Sequence, residues 1–260
     1  MKICALFAVA LVVMLSGCTS QSPIDPDGTL PIVSGLAIRT DACKGDTLVF
    51  AWDSLSVPVD EYTLWFSDNP LFFWMKAGDF TGLVGTHVAD RCFTYSVWAQ
   101  SGSQHSTALS ARVIIGTTPL GTATTPSEER AIAGFSVSPD TIVGGDASNP
   151  DFHQDFFLRR QMMGYIICGG HTNPRQCPGG RWAQLAPALG DGFKAPVPDS
   201  REWSDTLSLY TSPRFFIKLE SGHYGRFTAM VYQNPDTLLM GEIAEVNFVY
   251  QPIPRVRLFD

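Results

Sequence analysis

The chain has no apolar run long enough to cross a bilayer. Its longest, Ile3 to Leu15, falls short of the roughly 20 residues that a spanning helix needs. It has no basic stripe either: 18 Lys and Arg stand against 25 Asp and Glu, a formal net charge of -7. That balance speaks against a nucleic-acid partner. No internal repeat and no sustained helical period runs through it, which excludes a solenoid or a helical bundle. No nucleophile elbow, no His-Glu-x-x-His and no phosphate-binding glycine loop is present. Asp151, Asp155, Asp199, Glu202 and Asp205 lie scattered near turn signals and read as solvated loop carboxylates. The chain therefore reads as a binding protein, with no catalytic residue assigned.

What is present begins at the N-terminus. Lys2 precedes the Ile3–Leu15 run, which has the length of a signal-peptide core. Leu15, Ser16, Gly17 and Cys18 follow. This quartet resembles the bacterial lipobox, which implies cleavage before Cys18 and diacylglycerol on its sulfur. At ~0.8 kcal/mol per buried CH2, two or more acyl chains make a durable anchor where one does not. Thr19 follows in place of Asp; in a bacterium with two membranes that resembles the default signal for the outer one. Residues 1–17 then form the signal peptide, and 18–30, polar and rich in Ser, Pro, Asp and Gly, form a lipidated tether.

Of six cysteines, Cys4 leaves with the signal and Cys18 takes the lipid. Cys43, Cys92, Cys168 and Cys177 remain, an even number that predicts disulfides in an exported protein. Cys168 and Cys177 bracket a glycine-rich loop holding His171. One reading is a metal site with two thiolates and an imidazole, although a fourth ligand is lacking. The plainer reading is a disulfide closing a small loop.

The remaining residues predict an all-β protein of two antiparallel domains. Apolar residues come in short, β-branched or aromatic runs broken by Gly, Pro, Asp and Asn. In residues 31–116, Leu48, Phe50 and Trp52 alternate onto one face, as do Tyr62, Leu64 and Phe66, and Phe93, Tyr95, Val97 and Ala99. Trp52 ending an early strand, Tyr62 in the next, and Tyr95, Val97 and Ala99 before Gly102 resemble a fibronectin type III domain. The resemblance implies a β-sandwich and rests on core residues, so it identifies no activity. It also places Cys43 and Cys92 at one pole and so implies a disulfide between them, worth ~4 kcal/mol for a loop of about 50 residues. The segment 69–80, with Leu71, Phe72, Phe73 and Trp74, is unusually apolar for a loop. It either folds over an open sheet edge or forms an exposed patch.

Residues 117–129, rich in Thr, Pro and Gly, read as a linker. Residues 130–260 end in a meander: a strand to Glu220, a turn at Gly222, a return from Tyr224, and a last strand whose Val246, Phe248 and Tyr250 share a face. Asp155 to Arg160, an apolar strand into Gly169 and Gly170, and the hairpin from Phe216 to Phe227 are similar to the HmuY-like family of haem-binding lipoproteins. That resemblance implies haem or a similar small ligand, and an axial ligand such as His171 or Met162. Two departures stand against it: no Trp precedes Asp155, and Arg226 stands where the family has Lys. No haem-ligating pair maps onto the chain. The rival expectation is a structural or adhesive lipoprotein binding polysaccharide or another envelope protein.

Overall fold

The computed structural model describes residues 29–106, 108–127, 132–161, 164–210, 212, 214–233 and 241–260. Cys18 and Met162 lie outside them. Among the described residues the chain is built of antiparallel strands, and no helix is long and apolar enough to cross a membrane.

The first half carries β1 (Ala37–Ile38), β2 (Thr47–Ala51), β3 (Glu61–Ser67), β4 (Met75–Phe80), β5 (Val84–Val88), β6 (Thr94–Ser101), β7 (Gln104–His105) and β8 (Val113–Ile114). One sheet runs β1-β2-β5; the other runs β4-β3-β6-β7, with β8 also on β6. The alternating faces meet between them. Phe50 packs on Tyr95 with ring centroids 4.4 Å apart, and Trp52 on Tyr62 at 5.6 Å. Leu48, Leu64, Val97 and Ala99 fill the same core. Each large side chain buried there contributes about 1.5–3 kcal/mol. Past β7 the ladder along β6 is completed by serines. Ser106 Oγ accepts the Ala99 N–H at 2.9 Å, and Ser110 Oγ accepts the Val97 N–H at 3.0 Å. Both replace backbone partners that a buried strand must have.

One expectation here is divided between its alternatives and another is corrected. The apolar segment 69–80 splits: its second half is β4, which pairs along β3, while Leu71, Phe72 and Phe73 stand in solvent. Neither expected disulfide is present, and Cys43, Cys92, Cys168 and Cys177 are all free, buried thiols. Cys43 Sγ accepts the Val49 N–H at 3.3 Å, whereas Cys92 Sγ lies 3.9 Å from the Gln251 amide. The two sulfurs thus face different partners.

The second half carries β9 (Thr118–Ser127), β10 (Ala133–Ser138), β11 (Thr141–Asp146), β12 (Phe156–Gln161), β13 (Gly164–Gly169), β14 (Ala183–Pro187), β15 (Thr206–Ser208), β16 (Phe215–Leu219), β17 (Tyr224–Gln233) and β18 (Glu242–Tyr250). The expected linker is therefore largely β9, an outer strand laid along the whole of β18. The sheets run β11-β10-β12-β13-β15 and β14-β16-β17-β18-β9. A run of phenylalanines joins them: Phe135 to Phe156 at 5.3 Å, Phe156 to Phe227 at 4.7 Å, Phe227 to Phe248 at 5.9 Å, all stacked. The sheets also meet at both edges. A side chain on Gly144 of β11 would run into the Thr124 carbonyl of β9. On the other side Leu185 and Ser204 exchange two backbone hydrogen bonds of 2.8 Å.

The tail 251–260 leaves the second sandwich and finishes the first. Ile253, Val256 and Leu258 lie in the first core. Gly45 donates to the Arg255 carbonyl at 2.7 Å and accepts from Arg257 at 3.0 Å; Cys92 donates to the Phe259 carbonyl at 3.3 Å. Asp46 closes the junction, 2.6 Å from the Lys194 ammonium and 3.0 Å from the Arg257 guanidinium. Burial raises the Asp46 pKa, but the two cations outweigh it and leave it below the ordinary carboxylate range.

Candidate functional site

The loop from Cys168 to Trp182 is the most closely built feature of the second sandwich. It leaves β13, makes a 3-10 turn over Gly170–Thr172 and returns into β14. Gly170 donates to the Asp155 carbonyl and Arg181 to the Gln154 carbonyl, both at 2.8 Å. Glycine is required where the two limbs cross, since a Cβ on Gly180 would collide with the Gly170 carbonyl.

Folding sorts Cys168, Cys177 and His171 into two environments. Cys168 and Cys177 turn inward and pack with Ala147 and Phe157. Burial raises both thiols, and burial together with the nearby Cys168 pushes Cys177 to about 11. His171 turns outward. Its ring lies beside that of Trp182, centroids 6.1 Å apart and planes 28° from parallel. Among the described residues no group of three or more His, Cys, Asp or Glu side chains is placed to hold a metal ion.

His171 Nδ1 accepts the Ala183 N–H at 3.4 Å, which leaves the neutral ring's proton on Nε2, 3.6 Å from Asp205 Oδ1. The partly exposed ring has polar neighbours. His153 faces the Gly179 carbonyl at 3.4 Å, and His223 lies over the Tyr250 ring at 5.2 Å, where burial lowers its pKa. The sequence reading missed Trp182 and Lys218, whose ammonium lies 5.4 Å from the Trp182 ring centroid. Asp205 is the exposed loop carboxylate expected, and its backbone carbonyl accepts the Gly169 N–H at 2.9 Å. Only the strand register, which seats Gln184 opposite Lys218, assembles this patch.

Beneath it, Asp155 departs from the expected solvated acid. It is buried, accepts the Val137 N–H on Oδ2 at 2.7 Å and lies 3.6 Å from Arg181. Burial pushes its carboxyl up to about 6, against the opposing pull of the Val137 N–H and Arg181. This buried acid holds the end of β10 to the loop's base.

These features define the class: an all-β chain of antiparallel sheets stacked as sandwiches, with a polar, aromatic surface patch on one of them. No protein-family model and no curated protein matches the chain. Solved structures give faint likenesses. Titin kinase with its flanking domains shares 7% identity and a TM-score of 0.29, over 86% of this chain and 38% of that one. The chitinase ChiA74 from Bacillus thuringiensis shares 14% with a TM-score of 0.25, over 92% and 29%. The FN1-FN3 domains of chicken CNTN1 share 10% with a TM-score of 0.25, over 86% and 89%. At these scores the likenesses identify neither a family nor an activity.

Proposed function

We propose that this chain is a lipid-anchored cell-envelope protein that binds polysaccharide on the face around Trp182. The observation that carries the ligand class is the grouping of Trp182 and His171 with Asp205, Lys218 and Gln184. An indole presents an apolar flank to the C–H groups of a sugar ring, while carboxylate, ammonium and amide groups serve its hydroxyls. The anchor rests on Lys2, the apolar run and the lipobox ending at Cys18. The fibronectin type III likeness of the first sandwich fits a spacer or contact module within this reading. Haem is the rival ligand; it calls for apolar walls around its His or Met, and His171 stands beside Asp205.

Two measurements test the reading. Electrophoresis through gels containing bacterial envelope polysaccharides should retard the protein, and Trp182→Ala should weaken the retardation about tenfold, the worth of one well-placed aromatic contact. Unchanged retardation in that variant, or a Soret shift on adding stoichiometric hemin, overturns the ligand class. Radiolabelled palmitate should enter the wild type and not Cys18→Ser. Label that survives the substitution, or never enters the wild type, overturns the anchor.

A further inference from the structure

The first sandwich carries an apolar tip that its fold does not use. Leu71, Phe72, Phe73 and Ile114 are 77, 72, 74 and 76% exposed. Register gathers them: Ile114 pairs with Thr94 and Thr94 with Ser67, after which the loop departs. The loop is fastened in this display. Phe72 and Phe73 donate to the Asn69 carbonyl at 3.0 and 3.2 Å, and the Ser67 hydroxyl donates to the Phe73 carbonyl while accepting the Asn69 N–H. Trp74 stands at its base with the Arg112 guanidinium 5.8 Å from its ring centroid.

We propose that this tip inserts into the interfacial layer of a lipid bilayer. The choice of occupant follows from shape, chemistry and reach. Three consecutive apolar side chains on a turn suit the boundary between headgroups and acyl chains, where Trp and Arg sit comfortably. The chain before the first described residue, Thr29, includes eleven steps from Cys18, able to extend to roughly 36–40 Å. Leu30 is held by His105, beside the far end of β6 from Thr94. The strand rise along β6 from Thr94 to Gln100, the partner of His105, is about 20 Å. A lipid on Cys18 and the tip can therefore meet one membrane surface together. The inference rests on the anchor reading for how the tip reaches the bilayer.

The full chain reconstituted in phosphatidylethanolamine and phosphatidylglycerol vesicles with brominated acyl chains tests it. Bromine should quench part of the tryptophan emission. Trp74→Phe should abolish that quenching, and so should Phe72→Ser with Phe73→Ser. An absence of bromine-dependent quenching, or quenching that both variants retain, overturns the proposal. So does a photo-crosslinker at position 72 that captures protein and no lipid. Palmitate labelling reports on the anchor separately: an unlabelled chain whose quenching still depends on the tip fails the anchor and keeps the insertion.

Discussion

The two sandwiches dispose of their outer surfaces differently. The first leaves large apolar side chains in water, at Leu71, Phe72, Phe73 and Ile114 and at Val88. The second roofs both of its sheets. The cysteine loop covers Phe157 and Ala147, while Ala188, Ala195, Trp203 and Phe259 cover Phe216 and Tyr224. Its sheet edges also meet, β9 with β11 and β14 with Ser204. Unpaired edges and bare apolar faces invite association. Both halves keep apolar side chains in water, the second at Val143, Leu189, Val197, Tyr210 and Met230, but among the described residues only the first sets three of them in consecutive positions, so that set calls for a use.

The largest break in that contrast is expected at the phenylalanine run. Phe156 stacks on both Phe135 and Phe227, so Phe156→Ala should cost about 3–5 kcal/mol in urea unfolding, through lost burial and the cavity left behind. A cost below 1 kcal/mol would mean the sheets are not joined there. Next comes Asp155. Its folded pKa of about 6 lies above its ordinary value of 3.8. The folded state therefore binds the proton more tightly, and stability is highest below the ordinary value and falls as pH rises to about 6. The loss should approach about 3 kcal/mol. Asp155→Asn should flatten melting temperature across pH 4–6, and a slope that persists in the variant would place it elsewhere. Removing the carboxylate that joins the halves, by Asp46→Ala, leaves Arg257 and Lys194 without their shared partner. About 2 kcal/mol should be lost, less than for a fully buried pair because the carboxylate is partly exposed. The loss should separate the two halves' unfolding transitions in calorimetry; one unchanged transition would show that the junction does not depend on Asp46. The smallest effect is expected from Phe72→Ser with Phe73→Ser, within about 0.5 kcal/mol of wild type. A larger loss would make the tip part of the fold and no longer a spare surface.

Much of the architecture was legible where one face of a strand is buried. Leu48, Phe50 and Trp52 alternate with half-buried or exposed neighbours, and so do Val246, Phe248 and Tyr250. The turn at Gly222 was legible as well, since its φ of 81° is one that glycine adopts without strain. β9 was not. Its Pro119 and Pro126 and its threonines look like a linker, and proline is tolerated in a strand only along an outer edge, the place β9 occupies. β10 and β11 were hidden by Gly134, Gly144 and Gly145, which carry no pattern of their own. Those glycines are there because the Phe152 ring presses on Gly134 and Gly145, and the β9 backbone on Gly144. The cysteines misled for a different reason: an even count fits a disulfide framework and equally fits four small apolar side chains in two cores. At the candidate site His171 was singled out by its glycine-rich loop. Trp182 stands just before β14 and Lys218 on β16, and nothing in their local sequence announces that the pairing of those strands sets them together.

The tail that crosses from one half to the other has a consequence for biogenesis. Domains near an N-terminus commonly fold while the ribosome is still working. Here Asp46 waits for Arg257, 211 positions downstream, and Gly45 for the same late stretch. Until that stretch is made, the earlier half lacks Ile253, Val256 and Leu258 from its core and the partner of Asp46.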